Sequence, residues 1–97
     1  MENLVQVTDG KVVVSSRQVA EHFGKLHKDV LASIENIRAE NSALTLMFDK
    51  TSYTAGTGKS YPEYLMNRDG FSLLVMGFTG RKSLEWKIKY IQAFNAM

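Results

Sequence analysis

Apolar and polar positions alternate at both ends of the first segment, where Leu4-Val-Gln-Val-Thr8 and Lys11-Val-Val-Val14 flank Asp9-Gly10. Asp-Gly between β-branched runs predicts a type I′ hairpin, because that turn needs positive φ at both central residues. The period then lengthens. Ser15 stands three residues before Gln18 in the spacing of a capping box, Val19, Ala20 and Phe23 form a short apolar face, and Gly24 stops the helix, so the first helix is expected at about 16 to 23. After Lys25-Leu-His27, Val30, Leu31, Ile34 and Ile37 recur at steps of three and four, which predicts a second helix from Lys28 to about Glu40.

Leu46 to Thr54 carries the aromatic and β-branched residues of a strand, Gly56 and Gly58 make a turn, and Ser60 to Asn67 returns. Pro62 cannot donate to a ladder, so the returning strand is expected at an edge or paired from one side only. Asn67-Arg-Asp-Gly70 reads as the close of this hairpin, and Phe71 to Phe78 as a short buried helix. Thr79 or Gly80 begins the last helix, where Leu84, Ile88, Ile91 and Asn95 share a stripe beside Trp86, Tyr90 and Phe94. That stripe, on a helix with no stop signal, points to docking between chains and a homodimer through the C-terminal helix.

The turn Ala55-Gly-Thr-Gly-Lys-Ser60 ends like a nucleotide phosphate loop. Such a loop needs a glycine five places before Gly58, where Tyr53 stands, and a helix after it, where Pro62 stands. Both departures exclude the nucleotide reading and leave a hairpin tip bearing Lys59.

Ninety-seven residues, 44% of them hydrophobic, suffice for one modest core, so residues 1–97 are expected to form a single domain. Without cysteine there is neither a disulfide framework nor a thiolate metal site. No apolar run approaches the roughly 18 residues of a membrane span. Met1-Glu-Asn-Leu lacks the basic start of a signal peptide, and a cytoplasmic protein with no membrane partner is the expectation. His22 and His27 are five places apart across Gly24 and share no helical face, so no metal or other cofactor is expected. Ser15 and Ser16 resemble a cap rather than a nucleophile, and no nucleophile elbow is present, so the chain does not read as an enzyme. Tyr53, Tyr61 and Tyr64 could stack on bases, although aromatics at strand spacing usually form cross-strand pairs.

Net charge is only +2, from twelve Lys and Arg against ten Asp and Glu, so any basic face must be assembled by folding. Two short helices with a tight turn, followed by a hairpin with a basic tip, make an α+β fold of winged helix-turn-helix type: N-terminal hairpin, two helices, wing, buried short helix and long C-terminal helix. Ala20, Gly24 and Val30 fall at the small, glycine and apolar places of a helix-turn-helix, while Ser33 stands where an apolar residue is usual, with Ile34 one place on. Arg17, Lys25, His27, Lys28 and an outward Ser33 are then candidates for double-stranded DNA, with Lys59 and Ser60 reaching a neighbouring backbone from the wing. The competing reading is an antirepressor-type module that engages a repressor protein through the aromatic wing and last helix.

Three ordered blocks, Ser16 to Val30, Tyr61 to Lys82 and Lys87 to Asn95, resemble the Rha family of phage regulatory proteins, whose N-terminal module is similar to DNA-binding modules of the KilA-N kind. The family's Gly-Lys-x-His-Lys-Asp-Val turn falls on Gly24, Lys25, His27, Lys28, Asp29 and Val30. Its Asp-Gly-Phe and Thr-Gly-Lys-Lys-Ala blocks fall on Asp69 to Phe71 and Thr79 to Ser83, with Arg81 and Ser83 in place of Lys and Ala. The resemblance implies regulation of phage or prophage genes in a bacterial host cell, with Gly70 serving a turn, Phe71 the core and Thr79 a helix cap. Family members often continue past this point, which implies a short member or an isolated N-terminal module.

Overall fold

The computed structural model describes residues 4–96; Met1 to Asn3, read above for signal-peptide character, and Met97 lie outside the described residues. The elements are β1 (Gln6–Thr8), β2 (Lys11–Ser15), α1 (Ser16–Phe23), α2 (His27–Glu40), a 3₁₀ turn (Ser42–Met47), β3 (Phe48–Thr54), β4 (Ser60–Met66), α3 (Arg68–Val75) and α4 (Arg81–Ala96). The fold is α+β, with one antiparallel sheet in the order β1-β2-β4-β3.

Local chemistry sets most of these boundaries. Asp9 and Gly10 both take positive φ (52° and 78°), so the first turn forms as expected, although pairing begins at Gln6 rather than Leu4. Ser15 Oγ accepts the Gln18 N–H at 3.1 Å and caps α1, while the Gln18 amide Nε2 donates to the Leu4 carbonyl and holds the N-terminal segment against the helix. Gly24 ends α1 in the left-handed region (φ 66°, ψ 34°), and the Lys25 N–H returns to the Ala20 carbonyl at 2.9 Å. α2 starts one residue before the expected Lys28, with Leu26 as its extended cap residue.

Two expectations are corrected in the middle of the chain. Leu46 and Met47 belong to a 3₁₀ turn, not to a strand, because Asn41 Oδ1 accepts the Ala43 N–H and starts a new helical turn. Asn67 caps α3 by accepting the Gly70 N–H at 2.9 Å, so Asn67 to Gly70 opens a helix instead of closing a hairpin. Gly70 therefore serves no turn. A Cβ built there would lie 2.6 Å from the Met47 carbonyl oxygen, so only glycine lets α3 approach the 3₁₀ turn this closely. At the next junction Gly80, not Thr79, occupies the cap position: its carbonyl accepts the Leu84 N–H at 3.1 Å.

β4 pairs with β3 along its whole length but with β2 only at Leu65 and Met66, so Pro62 sits where one flank of the strand has no ladder. The core lies between this sheet and the helices, with Val14, Phe48, Tyr64 and Met66 from the strands and Val19, Phe23, Val30, Ile34 and Phe71 from the helices. α4 closes it with its aromatic side. Tyr90 and Phe94 are buried, Phe71 lying 4.8 Å from the Tyr90 ring and 5.8 Å from the Phe94 ring between centroids, and the aliphatic stripe of the same helix is left outside.

Candidate nucleic-acid interface

The apolar residues Val30 and Ile34 bury one side of α2, with Leu31 and Ile37 half-buried beside them. At 100° per residue the opposite side must then carry Lys28, Ala32, Glu35, Asn36 and Ala39, and all five are exposed. Leu26 supplies no side-chain acceptor at the start of α2; its carbonyl takes the Asp29 N–H at 3.0 Å, and the N–H groups of His27 and Lys28 are left to solvent or to an anion.

Tyr64 ties α2 to the sheet at both ends. β2 stops at Ser15, which pairs with Leu65, so the next donor along β4, the Tyr64 N–H, has no strand to bond. Ser16 Oγ takes the place of a strand carbonyl and accepts that N–H at 3.0 Å. The same oxygen lies 2.9 Å from Nε2 of His27, the first residue of α2. Ser16 is fully buried, so its hydroxyl proton needs an acceptor, and His27 Nε2 is the partner within reach. It follows that His27 is the tautomer protonated at Nδ1. At the far end of α2 the Arg38 guanidinium donates from Nη1 to Tyr64 Oη at 2.7 Å.

His27 is also the hinge of an aromatic and cationic cluster. Its ring lies 6.1 Å from that of Tyr53, which pairs across the β3–β4 hairpin with Tyr61 at 5.8 Å. The Arg17 guanidinium, at the second residue of α1, stacks 3.8 Å above the Tyr53 ring. Burial first, and then the neighbouring Arg17 charge, hold the His27 imidazole below its ordinary 6.5. The site thus presents a neutral ring beside a fixed cation.

Ser60 pairs with Thr54 one rung beyond Tyr53 and Tyr61, and Lys59 lies at the tip, where Gly58 (φ 87°) follows a turn closed by the Gly58 N–H on the Ala55 carbonyl. AGTGKS is the end of a hairpin.

The structure thus brings Arg17 and His27 into contact through Tyr53, sets Lys28 on the outward face of α2, and carries Lys59 and Ser60, both exposed, on the adjoining hairpin. Lys25 and Ser33 lie elsewhere. Ser33 is half-buried, not outward, and lines with Lys25, Asp29, Val30, Gly77 and Phe78 a cleft of about 300 Å³ between α2 and the α3–α4 connection. Lys25 Nζ sits 5.1 Å from the Phe78 ring centroid in that cleft.

Sequence reasoning passed over Ala32 and Asn36, although the wheel opposite Val30 and Ile34 points to them. It also treated Ser16 as one of two cap residues, and no local signal marks its bond to Tyr64, 48 residues away. His22 is unrelated to the cluster: it is buried, stacked on Trp86 at 3.9 Å, with Nδ1 2.6 Å from Tyr90 Oη. Among the described residues no three His, Cys, Asp or Glu side chains converge as metal ligands, and no helix is long and apolar enough to cross a membrane.

The curated relatives are phage-associated where their names say anything. The chain is 35% identical to an uncharacterized protein of Haemophilus influenzae, over 99% of this chain and 58% of that one. It is 36% identical to an uncharacterized 22.8 kDa protein from the gp15-gp3 intergenic region of Salmonella phage P22, over 97% of this chain and 48% of that one. It is 32% identical to the "SPbeta prophage-derived putative antirepressor protein YoqD" of Bacillus subtilis, over 100% of this chain and 41% of that one. The chain spans about half the length of these relatives. No solved structure matches it significantly. The model of the family described as phage regulatory protein Rha matches residues 14–97, which take in α1 through α4, β3, β4 and the end of β2, and the chain belongs to that family.

Proposed function

We propose that this chain is a regulatory module of a phage or prophage that binds double-stranded DNA in the winged helix-turn-helix manner, with α1 and α2 as the two helices and the β3–β4 hairpin as the wing. The observation that carries this reading is the continuity of the face: Lys28 on α2, His27 and Arg17 on the Tyr53–Tyr61 pair, and Lys59 at the wing tip. Ala32 and Asn36 would enter the major groove, where an apolar methyl suits thymine and a carboxamide suits adenine. Arg17, Lys28, Lys59 and the Nδ1–H of His27 would hold phosphates, which positions the module without specifying sequence. Ser60 is secondary here, at the margin of that face, and Lys25 and Ser33, which line the separate cleft beside Phe78, lie off it. The role is binding, not catalysis, in the bacterial cytoplasm.

Fluorescence anisotropy on a selected duplex tests the reading. Affinity should fall steeply with salt, and Lys28→Ala combined with Lys59→Ala should reduce the slope of log K against log salt by about 2 while leaving the circular dichroism spectrum intact. Salt-insensitive affinity, or a slope unchanged in the double variant, defeats it. The name of the YoqD relative supports a second reading, in which the module engages a repressor protein; that contact would be apolar and indifferent to salt.

A further inference from the structure

We infer that α4 pairs with α4 of a second copy of this chain, antiparallel, in a weak homodimer. Leu84, Ile88, Ile91 and Asn95 recur at steps of four, three and four, the spacing of a coiled-coil seam over two heptads. The structure leaves this seam uncovered. Leu84, Ile88 and Ile91 remain 56%, 47% and 44% exposed, on a helix whose neighbouring side, about 110° round the axis at 100° per residue, is sealed by Ser83, Tyr90 and Phe94. Met76, 73% exposed, extends the apolar surface along a groove of about 180 Å³ bounded by Phe71, Val75, Lys87 and Ile91. An isolated exposed Leu is ordinary on a protein surface, but three aliphatic residues in heptad register, adjoined by Met76, are a contiguous patch.

The residues beside the patch select both the occupant and its direction. Leu and Ile at the seam positions, with one Asn, form a surface complementary to itself, as a two-fold contact requires. Arg81 continues the seam three residues before Leu84. A parallel pair would set Arg81 against the partner's Arg81. In an antiparallel pair centred on Ile88, Arg81 and Asn95 each lie seven residues from the centre, so Arg81 meets the partner's Asn95 and the negative end of the partner's helix dipole. Leu84 then lies level with the partner's Gln92, one residue from the partner's Ile91, near enough for the two aliphatic side chains to pack. The 16 residues of α4 span about 24 Å, and a contact of that length falls short of the roughly 800 Å² per partner of a standard stable interface. The dimer is therefore concentration-dependent. This inference rests on neither functional reading above.

Sedimentation equilibrium on the chain from roughly 5 to 500 µM tests it, since weak association must show within that span. The wild-type chain should shift from monomer to dimer. Ile88→Glu should weaken the dimer by about a hundredfold or more because the residue meets itself at the centre, whereas Glu35→Lys on α2 should leave it unchanged, both variants keeping a native circular dichroism spectrum. A wild-type monomer throughout, or association that survives Ile88→Glu, overturns the inference, as does growth beyond a dimer. Because the chain has no cysteine, single-cysteine variants report direction. Arg81→Cys mixed with Asn95→Cys should give a crosslinked heterodimer on oxidation, and crosslinking confined to Asn95→Cys with itself overturns the antiparallel assignment.

Discussion

Ser16→Ala removes one oxygen from the junction where sheet, α1 and α2 meet, and its effect can be worked from the bonds that oxygen makes. Ser16 is fully buried; its Oγ accepts the Tyr64 N–H at 3.0 Å and lies 2.9 Å from His27 Nε2. Alanine would leave the Tyr64 N–H buried beyond the end of the β2–β4 ladder, at a cost of about 1–3 kcal/mol, and would forfeit a second bond worth about 0.5–1.5 kcal/mol. The better helix propensity of alanine returns only a few tenths of about 1 kcal/mol. The expected net loss is about 2–3 kcal/mol, a large share of the roughly 5–15 kcal/mol that holds a domain folded, and about 10–20 °C in Tm at this size. Urea titration of the wild type, Ser16→Ala and the cap variant Ser15→Ala provides the comparison, with Ser15→Ala losing only about 1 kcal/mol. Nitrogen-15 correlation spectra of His27 supply a readout that mere destabilisation would not move: the proton should reside on Nδ1 in the wild type and lose that preference in Ser16→Ala. A loss below about 0.5 kcal/mol, with the tautomer unchanged, refutes the role assigned to this hydroxyl.

Two further outcomes follow from named contacts. Gly70→Ala should destabilise the chain by about 2 kcal/mol despite its gain in helix propensity, because its Cβ would meet the Met47 carbonyl oxygen at 2.6 Å and backbone cannot step aside; an unchanged or raised Tm contradicts the close approach. His27 titrates below 6.5 when folded, so the unfolded chain binds more protons as pH drops through 6.5. Its contribution to stability is whole above that pH and is lost as pH falls toward the folded value. Stability should therefore decline as pH falls below about 6.5, and less steeply in His27→Gln; equal slopes in the two proteins would assign the effect to other groups.

Legibility of the site followed the same division as legibility of the fold. Lys28 and Lys59 could be placed because one requires only a helical period and the other only a glycine-bearing turn, and both are exposed where those rules put them. Arg17 and His27 were named for their charge and position, but their meeting over Tyr53 depends on a hairpin that returns beside both helix starts. Ser33 was misplaced by under half a turn. Its flank faces the α3–α4 connection, which the α2 sequence cannot encode.

By itself the sequence determined whatever needs only a few adjacent residues. Asp9-Gly10 dictates its turn through two positive φ angles, Ser15 and Gly24 bound α1 through a side-chain cap and a left-handed glycine, and Ala55 to Ser60 becomes a hairpin tip because Tyr53 and Pro62 exclude the alternative. The tertiary structure decided between choices that local chemistry leaves balanced. Asn67 can begin either a turn or a helix, and its N–H on the Met47 carbonyl, 20 residues back, holds it where it caps α3. α4 carries two apolar stripes, and the aromatic one turns inward because Phe23 and Phe71 offer rings for Tyr90 and Phe94 to pack on. Only one side of a helix can face a core this small, so the aliphatic stripe stays exposed on the outer surface.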